Sequence, residues 1–410
     1  MDIRWFIVLA LLVLGNIYKL ALTVVQMRSA ANPTPENVAD VYDSETYEKW
    51  RRYSGEQSRL GIVSCLVSFA LELVLLISGA YAWAASLFPK GWFWQAFAVI
   101  LFSGLCETVV GVFISYYDTM VIEEKYGFNR SSLKTFVTDQ IRNFLIGLGL
   151  NTLLVTILAA LYRGLGDWVV LLFTGVVFCI TLLISFLYPI FSRLGNKFEP
   201  LEEGELKEKL MALLTKHGYQ VKAIEVMDAS RRTTKLNAYF TGFGKMKTIV
   251  LYDNLVNAMS PDEICAVFAH ELGHGLHKDV LKQQIMNIGN LFLMAVVAWL
   301  AVRTEDLHSI FGFTSVNYGF AYILLGIGLN LIQPLTGMAM SAYSRFAEYR
   351  ADRQAVSEGY GPMMITALKK LAKENFAHLA PAKLLVVLEY SHPPLSERIG
   401  AIEKALEEKR

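Results

Sequence analysis

The chain has 410 residues, 54% of them hydrophobic and 18% charged, with a mean hydropathy of +0.38. That composition excludes an ordinary soluble domain of this size and points to a membrane protein. A formal net charge of +1 leaves no electrostatic footprint for nucleic acid, and Cys65, Cys106, Cys179 and Cys265 form neither a disulfide framework nor a cysteine-type zinc site.

In chain order, the first apolar run is too long for a signal peptide and lacks a small-residue cleavage site, so it reads as a retained first span. Seven segments have spanning length: Ile3–Val25, Gly61–Leu87, Trp92–Tyr116, Phe144–Leu161, Val169–Leu187, Ile285–Val302 and Val316–Met338. Arg28, Lys49, Arg51, Arg52 and Arg59 lie between spans one and two, and Lys125, Arg130, Lys134 and Arg142 between spans three and four. The alternate connections carry only Lys90, Arg163 and Arg303. Basic residues accumulate on the cytoplasmic side, which puts the N-terminus outside and the C-terminus inside. Glu72 and Glu107 lie within spans, as residues lining a cavity or a pathway do.

This reading divides the chain into a five-span membrane domain (1–192), a cytosolic α+β unit (193–284), two further spans (285–338) and a cytosolic helical tail (339–410). Within the α+β unit, Leu206–His217 has helical periodicity. Ala223–Met227, Leu236–Thr241 and Thr248–Tyr252 are strand-like, and Gly242–Lys245 is a turn that joins the last two as a hairpin. Ser260, Pro261 and Glu263 form a capping box that starts a helix carrying Ala266–His277. The tail holds helices around Phe346–Ser357, near Pro362–Lys373 and near Glu397–Leu406.

His270-Glu271-Leu272-Gly273-His274 is an H-E-x-x-H motif on that predicted helix. Four residues advance a helix by about 400°, so the two imidazoles share a face and can bind one zinc ion. Glu271 is placed to act as general base toward water activated by the metal. A third ligand is needed. His277 lies about 10 Å along the axis from His270, too far to share the ion, and reads as a surface histidine. Val280 stands where the extended three-histidine motif would have its last ligand. Glu348 and Asp352 are i and i+4 on one helix face, which makes Glu348 the better third ligand and Asp352 an acceptor for the outer N–H of His270 or His274.

With these motifs on the page, the chain resembles the type I CAAX prenyl protease family, the membrane gluzincins. The likeness runs from Tyr117-Asp118-Thr119 and Ile122–Asn129 through Asn196-Lys197-Phe198, Pro200-Leu201, Glu203-Gly204 and Asn237–Phe240. It continues through the His270–His274 motif and Glu348–Asp352 to Ser391–Leu395 and Glu397-Arg398. It implies a predominantly α-helical integral membrane protein whose seven transmembrane helices form a chamber, with a small cytosolic α+β zinc-protease domain. It implies one Zn2+ per chain on His270, His274 and Glu348, with Glu271 as base. It implies peptide or protein substrates cleaved near the C-terminus of prenylated CAAX proteins, with the lipid bilayer as the other partner. The resemblance and the Pro-rich setting of His392 make it a donor to the oxyanion. The gluzincin likeness makes Asn237, Ala238 and Tyr239 a substrate-binding edge strand. Lys235-Leu236 departs from the His-Ser expected before Asn237. A short connection between spans six and seven, and no retrieval signal in Leu406–Arg410, fit a compact prokaryote-like member. The expected location is the bacterial inner membrane or, in a eukaryote, the endoplasmic reticulum membrane.

Two other readings stand beside this one. A general membrane-protein quality-control metalloprotease would use the same chemistry for another purpose. A non-catalytic seven-span transporter or receptor would leave the zinc constellation unexplained, and metal-dependent proteolysis separates it from an enzyme.

Overall fold

The structure is a computed structural model that describes residues 2–88, 90–193, 196–219, 221–241 and 248–409. Five long helices come first: α1 (Ile3–Ser29), α2 (Ser44–Ile77), α3 (Trp92–Tyr116), α4 (Leu133–Leu165) and α5 (Val169–Ser192). Then come β1 (Phe198–Pro200), α6 (Glu205–Lys216), β2 (Ala223–Met227), β3 (Ala238–Thr241) and β4 (Thr248–Tyr252). The chain continues with α7 (Pro261–Leu276), α8 (Asp279–Arg303), α9 (Tyr318–Ser357), α10 (Gly361–Glu374) and α11 (Leu395–Glu408).

Among the described residues, six continuous helical stretches are long and apolar enough to cross a membrane, one fewer than the seven spans expected. The difference arises at Leu133–Ser185, where α4 and α5 follow one another through the short 3-10 turn Gly166–Trp168 and pack against each other. The stretches keep their apolar side chains outward; Leu14, Phe113 and Leu145 are all more than half exposed. That inversion of the soluble pattern is what lipid as solvent requires.

Several boundaries differ from the sequence reading, two of them in how helices are divided. The second span ends at Ile77, because Gly79 takes φ +75 and starts a separate short helix, Ala80–Ser86. The last span and the tail helix predicted at Phe346–Ser357 are one 40-residue helix, α9. Residues 339–345 hold neither glycine nor proline, so nothing stops it. Pro334 inside α9 removes the N–H that would bond the Asn330 carbonyl. That turn faces a cavity of about 860 Å3 lined by Asn330, Gln333, Pro334 and Gly337. A second cavity of about 810 Å3, lined by Glu72 and Glu107, shares Lys19, Gln57 and Asn330 with the first, so polar groups in the spans line a two-lobed chamber.

The sheet order is β1-β2-β4-β3, with β2 and β4 parallel and both outer pairs antiparallel. β1 went unpredicted because three residues carry no period. β3 and β4 pair as expected, while the turn at Gly242–Lys245 lies outside the described residues. Leu210, Leu214, Ile249, Leu251, Ile264 and Phe268 form the core between the sheet, α6 and α7.

Candidate metal centre

α7 starts where its sequence says it should. Ser260 Oγ accepts from Glu263 N–H at 3.3 Å, and Glu263 Oε2 accepts from Ser260 N–H at 2.8 Å, with Pro261 at the first helical position. The helix lies against α9 at Gly273. A Cβ there would stand 3.0 Å from both Ala351 Cα and Gln354 Cβ, so glycine permits the approach that sets Glu348 beside the two histidines.

One ligand atom from each of His270, His274 and Glu348 lies within 4.8 Å of the others. The Nε2 atoms of His270 and His274 are 3.2 Å apart. Glu348 Oε2 is 3.5 Å from His270 Nε2, and Glu348 Oε1 is 3.3 Å from His274 Nε2. Glu348 Oε2 is buried, accepts no hydrogen bond among the described residues, and faces Arg398 Nη1 at 3.2 Å. A buried carboxylate oxygen with no hydrogen bond, opposite two imidazole nitrogens, is a donor set that a metal ion satisfies.

Both outer nitrogens are held by carboxylates. His270 Nδ1 is 2.8 Å from Asp352 Oδ1, so of the two histidines Asp352 supports His270. His274 Nδ1 is 3.0 Å from Asp279 Oδ2. These contacts turn each Nε2 inward as an acceptor. Arg398 on α11 donates to Asp352 through Nε at 2.8 Å and Nη2 at 2.6 Å. Tyr343 donates to Asp279 Oδ1 at 2.8 Å, and Arg350 donates to the same oxygen. Burial disfavours charge on His274, but Glu348 and Asp279 outweigh it and raise its pKa to about 9. The surrounding carboxylates thus favour positive charge at this cluster, as a proton on His274 or as a bound metal ion.

The sequence reading did not find Asp279. It follows Lys278, whose φ of +55 turns the chain between α7 and α8, so no helical spacing links it to His274. Arg398 stood in a quoted motif without a role. His277 is half-buried at the end of α7, outside the ligand cluster. Glu271 lines a small cavity with Ala238 and Tyr239, and β3 is the edge strand of the sheet. Asn237 stands one residue before β3, its carbonyl accepting from Tyr252 N–H at 3.1 Å. His392 is exposed, with Nε2 3.3 Å from Glu348 Oε1 and Nδ1 2.9 Å from Ser391 Oγ.

The family described as CAAX prenyl protease N-terminal, five membrane helices, matches residues 24–193, and peptidase family M48 matches residues 200–406. The chain is 31% identical to a CAAX prenyl protease 1 homolog of Oryza sativa subsp. japonica, over 97% of each chain. It is 30% identical to CAAX prenyl protease 1 of Saccharomyces cerevisiae, covering 92% of this chain and 90% of that one. The crystal structure of S. mikatae Ste24p is similar with a TM-score of 0.90 at 27% identity, covering 97% of this chain and 99% of that chain.

Proposed function

The chain belongs to peptidase family M48, with the membrane helices of the CAAX prenyl proteases, and on that premise we propose how this membrane metallopeptidase works. The metal is one zinc ion, held by His270, His274 and Glu348. The observation that carries this reading is the convergence of two Nε2 atoms and a buried carboxylate oxygen that makes no hydrogen bond among the described residues, with each outer Nδ1 on its own carboxylate. Zinc in such a set supplies Lewis acidity toward a peptide carbonyl and lowers the pKa of water to about 7.

The chain's own residues do the rest. Glu271, half-buried beside β3, takes a proton from the attacking water and returns it to the leaving amine. Asp352 and Asp279 hold the histidines in the ligating tautomer. His392 donates to the oxyanion that develops at the scissile carbonyl. An extended substrate pairs with the edge of β3 at Asn237–Tyr239 by main-chain hydrogen bonds. The relatives' names and the two-lobed chamber beside the tail segment Glu389-Tyr390 support a substrate whose cleaved end is prenylated and enters from the bilayer. The charge asymmetry of the connecting loops supports an N-terminus outside and a catalytic unit in the cytoplasm.

The test is purified Glu271→Gln, which keeps shape and removes basicity. Its metal content stays at the wild-type level while turnover of a farnesyl-cysteine peptide falls at least about a hundredfold. Near-normal turnover overturns the assignment of the base. Equal cleavage of the unprenylated peptide by the wild type favours a quality-control role instead.

A further inference from the structure

The edge of β3 is not open along its whole length. Tyr252 N–H donates to the Asn237 carbonyl, and the register pairs Ala238 with Leu251 and Tyr239 with Val250. In an antiparallel ladder the residues that bond to the neighbour alternate with those that do not. Asn237 and Tyr239 therefore turn their backbone groups toward β4. Ala238 and Phe240 turn theirs outward, to the edge an added strand would use, and the same alternation carried back past the start of β3 puts Leu236 on that side.

The outward place at Leu236 is already taken. Leu236 N–H donates to Asn375 Oδ1 at 2.9 Å, and Asn375 Nδ2 donates to the Leu236 carbonyl at 3.2 Å. One side-chain amide thus satisfies both backbone groups of one residue, as a neighbouring strand would. The Leu236 side chain is buried in the core under the sheet, which fixes it from the other side. Asn375 caps the end of α10, so its position is set by the tail and not by the sheet. At Ala238 the N–H is covered only by the adjacent Asn237 Oδ1 at 2.9 Å. The Ala238 carbonyl has no partner outside the sheet among the described residues, and Asn237 is exposed and can give way to a substrate carbonyl.

We propose that Asn375 is a positioning residue that closes the substrate edge at Leu236, so that the ladder begins at Ala238 and the register of the peptide against Glu271 is fixed. This inference rests on the edge-strand reading above. Ala238 and Glu271 line the same cavity, so a slip of the ladder carries a different peptide bond to the base. A strand slips in steps of two when it keeps the same face toward the site. Opening the Leu236 place therefore permits a second cut two residues from the first.

The experiment uses the full-length protein and a farnesyl-cysteine peptide with single N-methylated amides, products being read by mass spectrometry. In the wild type, methylating the amide that faces the Ala238 carbonyl lowers kcat/KM about tenfold, and the amide two residues further toward Leu236 tolerates methylation. In Asn375→Ala that further amide becomes sensitive, KM changes more than kcat, and a second product displaced by two residues appears. A folded Asn375→Ala with one unshifted product overturns the proposal, because loss of a merely structural clamp moves stability and not the cut. Sensitivity at the further amide in the wild type overturns it as well, and decides the matter alone if the variant does not fold. Indifference at every amide would remove the edge-strand reading and this inference together.

Discussion

The two histidines of one helical motif are anchored in opposite ways. His270 is held by Asp352, which Arg398 clamps, and the three side chains come from α7, α9 and α11, the two partners standing 82 and 128 positions after His270. His274 is held by Asp279 only five residues on, across the turn at Lys278, with Arg350 and Tyr343 behind it. The first arm is nearly dry: Asp352 is 1% exposed and Arg398 9%. The second arm is wetter, with about a fifth of the His274 and Arg350 side chains exposed. A distant, buried anchor makes the orientation of His270 conditional on the folding of the whole tail. A local one is formed by the corner between two helices. The same spacing in sequence therefore produces one histidine tied to global stability and one tied to local geometry.

The arginines separate these cases most widely. Arg398→Met takes both guanidinium bonds from the buried Asp352, leaving it only His270 among the described residues, and should destabilise the protein by about 3–5 kcal/mol. Arg350→Met leaves Asp279 its bond from Tyr343 and should cost about 1 kcal/mol. Urea unfolding of both variants in detergent checks the order, and equal losses would break the contrast.

How far each arm could be read beforehand follows from the same geometry. Glu348 and Asp352 were legible because i and i+4 on a helix always share a face, and the capping box at Ser260–Glu263 announced the helix that carries the histidines. Asp279 was not, because the chain leaves the helix between it and His274. Arg398 was not, because its reach to Asp352 depends on how α11 packs. The spans were legible as apolar runs, but the unbroken length of α9 was not. A polar stretch such as 339–345 ends a membrane segment without ending a helix. The edge place at Leu236 was hidden for a similar reason: the partner that fills it, Asn375, comes from 139 residues away.

The carboxylates give a smaller separation. Asp352→Asn should weaken metal binding by about ten- to a hundredfold, and Asp279→Asn by about tenfold at most, because the partly exposed His274 can recruit water to its outer nitrogen. Competition with a chelator measures both, and a larger loss at Asp279 would reverse the assignment of the dominant arm. Smaller still, and striking both arms alike, is Gly273→Ala. The added methyl forces α7 and α9 apart by a few tenths of an ångström and should cost about 1 kcal/mol of stability. If the variant weakens one arm only, the close approach at Ala351 is not what sets the site.

The account's central claim is that both arms deliver their Nε2 atoms, with the Glu348 carboxylate, to a single ion. Anomalous diffraction from crystals of the purified protein, recorded on both sides of the zinc absorption edge, tests it most directly. The account predicts one peak per chain, at about 2.0–2.2 Å from His270 Nε2, His274 Nε2 and a Glu348 oxygen. Active crystals with no peak there, or with a peak that leaves Glu348 outside ligating distance, would contradict it.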